Sequence, residues 1–283
     1  MANTNAVEQR VFKVNDLDIA AQQWGPIDGL PVMAIHGWLD NSASFSRLAP
    51  ELDRCRMVAL DLAGNGQSSF RSAQGSYNIW DDLLDILAIA DQLGWRRFHL
   101  LGHSRGAIVG LLLSATMPER IERFIALDGL LPVADDRDSV QQLRQYLRDQ
   151  RVDVAPQGRV YGTREQAIRK RCEKNGLERD DCFALAERGL EAVDAGFRWR
   201  YDPRVRGASA FKLSVEQSDG FLQALTVPTL LLLARRGFGG WSDGIERIKA
   251  NDSIQMQSFD GGHHLHMQAD LYANVAEAIN QWL

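Results

Sequence analysis

Cysteine is scarce in this chain: Cys55, Cys172 and Cys182 are the only three, and none stands at metal-ligand spacing from another. Three thiols cannot all pair, so they read as reduced groups in a reducing compartment. Long apolar runs are also missing. No stretch approaches the roughly 20 residues that cross a bilayer, and the opening MANTNAVEQR lacks the charged-then-apolar order of a secretory signal. We therefore expect no membrane span and a cytoplasmic protein. Neither charge sign dominates: 32 Lys and Arg against 37 Asp and Glu leave a net charge of −5, which argues against nucleic acid or an anionic membrane as main partner. There is no internal repeat, no low-complexity tract and no Gly-rich phosphate loop after the first strands, so no cofactor is implied and no metal is needed. What remains is 45% hydrophobic and 24% charged over 283 residues, an ordinary soluble composition with ample length for a large core.

Short apolar runs alternate with helical spacing. Val11–Val14 and Leu17–Trp24 form an expected hairpin about Asn15-Asp16. Val32–Ile35, Met57–Leu60, Phe98–Leu101, Ile121–Leu127, Pro228–Leu233 and Ile254–Phe259 read as buried strands. Helices are expected over Ile79–Leu93, with Leu83, Leu84, Ile86 and Leu87 on its apolar side, over Ala107–Ala115, and over Leu271–Trp282. This rhythm implies an α/β fold, a mostly parallel sheet with helices on both faces. It breaks between about 131 and 225, where Asp138–Gln150, Arg164–Lys174 and Asp180–Val193 are polar helical stretches with no buried-strand run among them. The expected organisation is a core of 1–130 and 226–283 with a helical cap, 131–225, inserted between two strands. The plainer alternative is a solvated decoration without catalytic consequence.

The most informative stretch is Phe98–Thr116. An apolar strand runs directly into Gly102-His103-Ser104-Arg105-Gly106, and an apolar helix follows without a loop. So abrupt a corner strains the backbone, and glycines two before and two after Ser104 leave the bare space it needs. Ser104 is then presented at the positive end of a helix with its hydroxyl free to attack, as in a serine hydrolase.

The HGW at 36–38, DLAGNGQSS at 61–69, GHSRG at 102–106 and GGHHLHM at 261–267 together resemble the α/β-hydrolases, nearly end to end. The HHLHM ending and the FRWRYDPR at 197–204 are similar to the serine hydrolase-like proteins within that superfamily. The resemblance implies a capped α/β-hydrolase fold and esterase-type chemistry with no settled substrate. Haloalkane dehalogenases and epoxide hydrolases are disfavoured, because they carry aspartate where Ser104 stands.

A serine alcohol needs a base within hydrogen-bond reach, and imidazole has the suitable pKa. Of six histidines, His99 lies within a strand, His103 is locked beside Ser104 pointing elsewhere, and His36 organises the HG turn. The order of groups in this fold places the base after the last strand. There Gly262-His263 fits, with His264 as rival and His266 as a packed imidazole. The third member, an acid that fixes the imidazole tautomer, is displaced. The resemblance implies an aspartate at 237, but that residue is glycine. Asp128, at the end of the strand after the nucleophile helix, is the preferred replacement and Asp243 the alternative. Plain readings stand beside both: a turn residue ahead of Gly129, and a helix start at Ser242-Asp243. Backbone N–H groups of Trp38 and Arg105 form the implied oxyanion hole. Arg105 is unusual at its position and either reaches an anionic substrate group, forms a salt bridge to a cap carboxylate or is simply exposed to solvent. Trp199 and Tyr201 line a pocket or pack cap on core.

The expected activity is hydrolysis of a small-molecule carboxylic ester or thioester through an acyl-enzyme on Ser104, with His263 as base and then acid. The alternatives are a non-catalytic ligand-binding member, for which the displaced acid speaks, and a cofactor-free haloperoxidase-type activity.

Overall fold

The computed structural model describes residues 7–132, 138–151, 158–237 and 244–283. The hairpin forms as β1 (Glu8–Val14) and β2 (Leu17–Trp24), with Asn15 in the left-handed region (φ 53°) at its turn. Then come β3 (Leu30–Ile35), β4 (Cys55–Leu60), α1 (Asp81–Gln92), β5 (Phe98–His103), α2 (Arg105–Thr116) and β6 (Ile121–Leu127). A second stretch holds α3 (Ser139–Asp149), β7 (Val160–Tyr161), α4 (Arg164–Asn175), α5 (Arg179–Gly189), β8 (Leu190–Val193), β9 (Gly196–Trp199) and α6 (Val215–Ala224). The chain closes with β10 (Thr229–Arg236), α7 (Ile245–Lys249), β11 (Ile254–Gly262) and α8 (Tyr272–Trp282).

Among the described residues eight strands form one sheet in the order β1-β2-β4-β3-β5-β6-β10-β11, in which β2 alone runs antiparallel to the rest. The side-chain period of two sorts the core onto both faces. Met33, Ile35, Leu100 and Leu231 join one apolar cluster, which takes in Ile86 and Ile89 of α1, Val109 of α2 and Leu222 of α6. Val32, Ala34, Leu101 and Leu232 join the other, with Val275 and Ile279 of α8. Because the strands are parallel, β3, β5, β6, β10 and β11 all end at the same edge of the sheet. The residues just after them, His36, Ser104, Asp128, Gly237 and His263, are therefore neighbours despite their distance in sequence.

Two expectations on helices are corrected. Leu84 is not on the buried side of α1 but 72% exposed, and the helix buries Asp82, Asp85, Ile86, Ile89 and Ala90 instead. Both acids face arginines, Asp82 facing Arg105 and Asp85 facing Arg71, so ion pairs as well as apolar contacts hold the buried side of the helix. The stretch expected as one helix over Asp180–Val193 is helical only to Gly189 and then extends as β8, which pairs antiparallel with β9 in a small sheet β7-β9-β8. Its strands are partly exposed, so they carry no buried apolar run for a sequence pattern to reveal. Among the described residues no helix is long and apolar enough to cross a membrane.

The stretch between β6 and β10 is pinned to the sheet by a buried ion pair. Arg188 of α5 donates Nε to both oxygens of Asp61, each at 2.9 Å, and their side chains are 5% and 0% exposed. Asp61 also accepts from the backbone N–H of Ser42 at 2.8 Å and of Gln67 at 2.7 Å, which shapes the turn that follows β4. Removing one partner of such a pair strands a charge in a dry site. Arg188→Ala is expected to lower unfolding free energy by about 3–5 kcal/mol in urea titration, and a loss below about 1 kcal/mol would contradict the account.

Candidate active site

Ser104 sits between β5 and α2 with φ 52° and ψ −114°, a conformation costly for any residue with a side chain. The surroundings hold it there. A Cβ at 102 would strike the backbone of Gly106 and Ala107, and one at 106 would strike the carbonyls of Ile35 and His36. Only glycine lets α2 approach β3 and β5 this closely. The Ser104 N–H donates to the Leu127 carbonyl at 2.9 Å, and its own carbonyl accepts from Ala107 N at 2.9 Å, so strand pairing and helix meet at this residue.

His263 follows directly after β11. Its Nε2 lies 2.9 Å from Ser104 Oγ, and its Nδ1 lies 2.6 Å from Asp128 Oδ2. A carboxylate only accepts, so Nδ1 carries the proton and Nε2 faces the hydroxyl with its lone pair. Asp128 is fully buried, with φ 41°, and its second oxygen accepts from the Ala234 N–H at 2.9 Å. Its own N–H donates to the Leu232 carbonyl at 2.8 Å. Asp128 is thus gripped by β10, not merely carried at the tip of β6. The plain reading, a turn residue bonding its own neighbourhood, does not describe these contacts.

The glycine at 237 explains the displacement. A Cβ placed on Gly237 would fall within contact distance of all three atoms of the Asp128 carboxyl group. A carboxylate on residue 237 would reach for the same volume, which the Asp128 carboxyl group at the end of β6 already fills. Asp243 lies outside the described residues.

The other histidines are committed elsewhere. His36 donates Nδ1–H to the Gly37 carbonyl at 2.6 Å and accepts at Nε2 from the Leu62 N–H at 3.0 Å, and burial lowers its pKa. His99 is buried within β5, and burial lowers its pKa as well. His103 is fully buried and donates Nε2–H to the His263 carbonyl at 2.9 Å. Burial first, and neighbouring imidazoles second, hold its pKa well below the usual value. His264 turns to Asp40, Nε2 to Oδ2 at 3.3 Å, away from Ser104. His266 packs on Phe45 with ring centroids 5.4 Å apart, its pKa lowered to about 3 by burial. Among the described residues, Asp40, His103 and His264 form a group of metal-ligand type.

Trp38 lines a cavity of about 360 Å³ together with Ser104, His263 and Gly237, and it also walls a neighbouring one of about 440 Å³. Its indole Nε1 donates to the Val205 carbonyl at 3.1 Å. Arg105 is the first residue of α2, so its N–H has no carbonyl inside the helix to bond. The Arg105 guanidinium forms a salt bridge with Asp82 of α1 at 2.6 Å, where a cap carboxylate or a substrate anion was the expectation. Neither Trp199 nor Tyr201 lines these two cavities. Trp199 lies under Arg171, and Tyr201 bridges to Asn65. The larger cavity is walled instead by Tyr77, Trp80, Ile108 and Phe211, which sequence reasoning missed because they come from three widely separated segments.

A strained serine on a strand-to-helix corner, bonded to an imidazole that is bonded in turn to a buried carboxylate, on a mostly parallel sheet wrapped by helices, defines the α/β-hydrolase class. The family profile for the alpha/beta hydrolase fold matches residues 31–270, and the chain belongs to that family. It is 30% identical to a serine hydrolase-like protein of Danio rerio over 88% of this chain and 81% of that one. Serine hydrolase-like protein 2 of Homo sapiens is 29% identical over 94% and 90% respectively. Among solved structures, a hypothetical protein from Pseudomonas aeruginosa PAO1 superposes with a TM-score of 0.90 at 40% identity, covering 97% of each chain. A thioesterase domain from the curacin biosynthetic pathway gives 0.86 at 25% identity, over 97% of this chain and 99% of that one. Fold and relatives place the chain among hydrolases.

The shared end point of the acid can be tested by moving it. Asp128→Asn is expected to slow fluorophosphonate labelling of Ser104 by roughly 10⁴-fold through the wrong imidazole tautomer. Gly237→Asp alone collides with Asp128 and also slows labelling, whereas Asp128→Gly combined with Gly237→Asp regains at least about tenfold over Asp128→Gly. A double variant no faster than that single one would count against a common position.

Proposed function

We propose that this chain hydrolyses a carboxylic ester or thioester of a small molecule through an acyl-enzyme on Ser104. The observation that carries the reading is the pair of hydrogen bonds through His263, 2.9 Å to Ser104 Oγ and 2.6 Å to Asp128. In the first half-reaction His263 Nε2 takes the hydroxyl proton as Oγ attacks the carbonyl carbon, then returns it to the leaving alcohol or thiol. In the second half it takes a proton from the water that attacks the acyl carbon and delivers it to Ser104 Oγ as the Oγ–acyl bond breaks, which releases the acid and restores the free hydroxyl and neutral imidazole. Asp128 holds the tautomer and balances the imidazolium charge. The N–H groups of Trp38 and Arg105 receive the oxyanion, a contribution worth about 2.7–4 kcal/mol per donor in other hydrolases.

Residues 131–225 act in this reading as the cap: Val205 anchors Trp38, and Val205, Phe211 and Leu213 help wall the larger cavity. Tyr77, Trp80, Ile108, Phe211 and Leu213 give that wall an apolar part that suits an acyl chain, beside polar groups such as Gln150 and Arg204. The thioester class is included because the curacin-pathway domain is a thioesterase of similar shape. A non-catalytic receptor drew its support from the missing acid at 237, and a carboxylate bonded to His263 removes that ground.

Ser104→Ala is expected to reduce turnover of a p-nitrophenyl ester by roughly 10⁶-fold, with circular dichroism and melting unchanged. Residual turnover within about tenfold of the parent would end the acyl-enzyme reading. For Arg105→Ala, kcat/KM is expected to fall by the same factor for anionic and neutral acyl esters, because the guanidinium is committed to Asp82. A loss confined to anionic substrates would show that it serves recognition instead.

A further inference from the structure

Behind the Ser104–His263 pair lies a second polar group that ester hydrolysis does not use. Asp40, His103 and His264 bring one carboxylate oxygen and two imidazole nitrogens within 4.8 Å of one another, and all three side chains are buried, 1%, 0% and 7% exposed. Asp40 Oδ2 stands 3.3 Å from His264 Nε2 and 3.8 Å from His103 Nδ1. The carbonyl of His263 can only accept, so the 2.9 Å bond to it fixes the His103 proton on Nε2. The neutral ring then turns a bare lone pair on Nδ1 toward a carboxylate oxygen, and this buried nitrogen has no hydrogen-bond partner. Two acceptors facing each other in a dry site call for a cation between them. His264 Nδ1, also buried, has no partner either.

We propose that Asp40 Oδ2, His103 Nδ1 and His264 Nε2 form a binding site for a divalent transition metal of the zinc class. Two imidazoles and a carboxylate are a ligand set such ions take, leaving a fourth position for water. That position faces the cavity of about 360 Å³ lined by Asp40, His103 and His264, which also supplies the entry path. Ligands around tetrahedral zinc lie about 3.4 Å apart, so the widest spacing closes by about 1.4 Å on binding. His103 binds without changing its proton. His264 moves the Nε2 proton to its partnerless Nδ1, so no net proton is released by that ring.

The surroundings fit a metal ligand set. The second ring nitrogen of a metal-bound histidine usually donates to a carbonyl or carboxylate, as His103 does to His263. The second oxygen of Asp40 is held by Arg171 of α4, which orients the carboxylate and leaves Oδ2 for the ion. Gly37 keeps the corner open, since a Cβ there would stand 2.8 Å from His103 Nδ1 and 3.1 Å from Asp40 Oδ2.

The proposal is independent of the hydrolytic reading and is tested by binding alone. Metal-stripped protein dialysed against zinc chloride is expected to take up one zinc per chain at micromolar free zinc, counted by mass spectrometry. His264→Gln and Gly37→Ala are each expected to weaken uptake by at least about tenfold, while His263→Gln, adjacent but outside the ligand set, retains it. No uptake by the parent chain, equal uptake by His264→Gln, or loss on His263→Gln would overturn the site. Cobalt(II) added to the unsubstituted chain decides the matter without a variant: intense visible bands of a four-coordinate centre support it, and only the weak bands of the hexahydrated ion refute it.

Discussion

The Asp128 carboxylate is the point through which the working edge of this molecule is held together. Its backbone N–H bonds to Leu232, one oxygen takes the Ala234 N–H, and the other meets His263. A single buried group thereby joins the ends of β6 and β10 to the turn after β11. Two of these bonds are made to the carboxylate itself and the third to a backbone carbonyl, all away from water, where leaving them unmade is costly. His263 is oriented by that grip, and Ser104 is reached only through His263.

Strain at this edge is offset by the sheet beneath it. Ser104 and Asp128 both have positive φ, at 52° and 41°. Neither conformation would persist in a free loop, but each residue directly follows a strand paired on both sides. The parallel register that pairs Gly102 with Ala126 and His103 with Leu127 also sets Ser104 beside the start of the Asp128 turn. Regular structure absorbs the cost and the two functional side chains take up the result.

The segment between β6 and β10 is fastened to the core by buried charge as well as by apolar contact. Arg188 reaches Asp61 and Arg171 reaches Asp40, both acids buried at the foot of the sheet's carboxyl edge. Burial alone would raise the pKa of Asp40, yet His264 and Arg171 together hold it well below the usual carboxylate range. A small apolar cluster of Ile168, Cys182 and Leu185 adds Met267 from the turn carrying His263. The cavity beside Ser104, the turn carrying His263 and the segment between β6 and β10 therefore share neighbours.

Much of this was legible in the residues. Short apolar runs mark β3, β4, β5, β6 and β10, because a strand buried on both faces carries few polar positions. The corner at Ser104 is visible because its sterics demand glycine at fixed offsets, and His263 because the chain order of the fold leaves few imidazoles after the last strand. The half-exposed strands β7 to β9 escaped notice, as did the rotation of α1, where Asp82 and Asp85 are buried against arginines. Sequence alone determined which residue types this chain could bring to a reaction and where the backbone must bend. Only tertiary structure decided which acid meets the imidazole: the ends of β6 and β10 converge on one small volume, and a linear chain does not say which of two adjacent strands fills it.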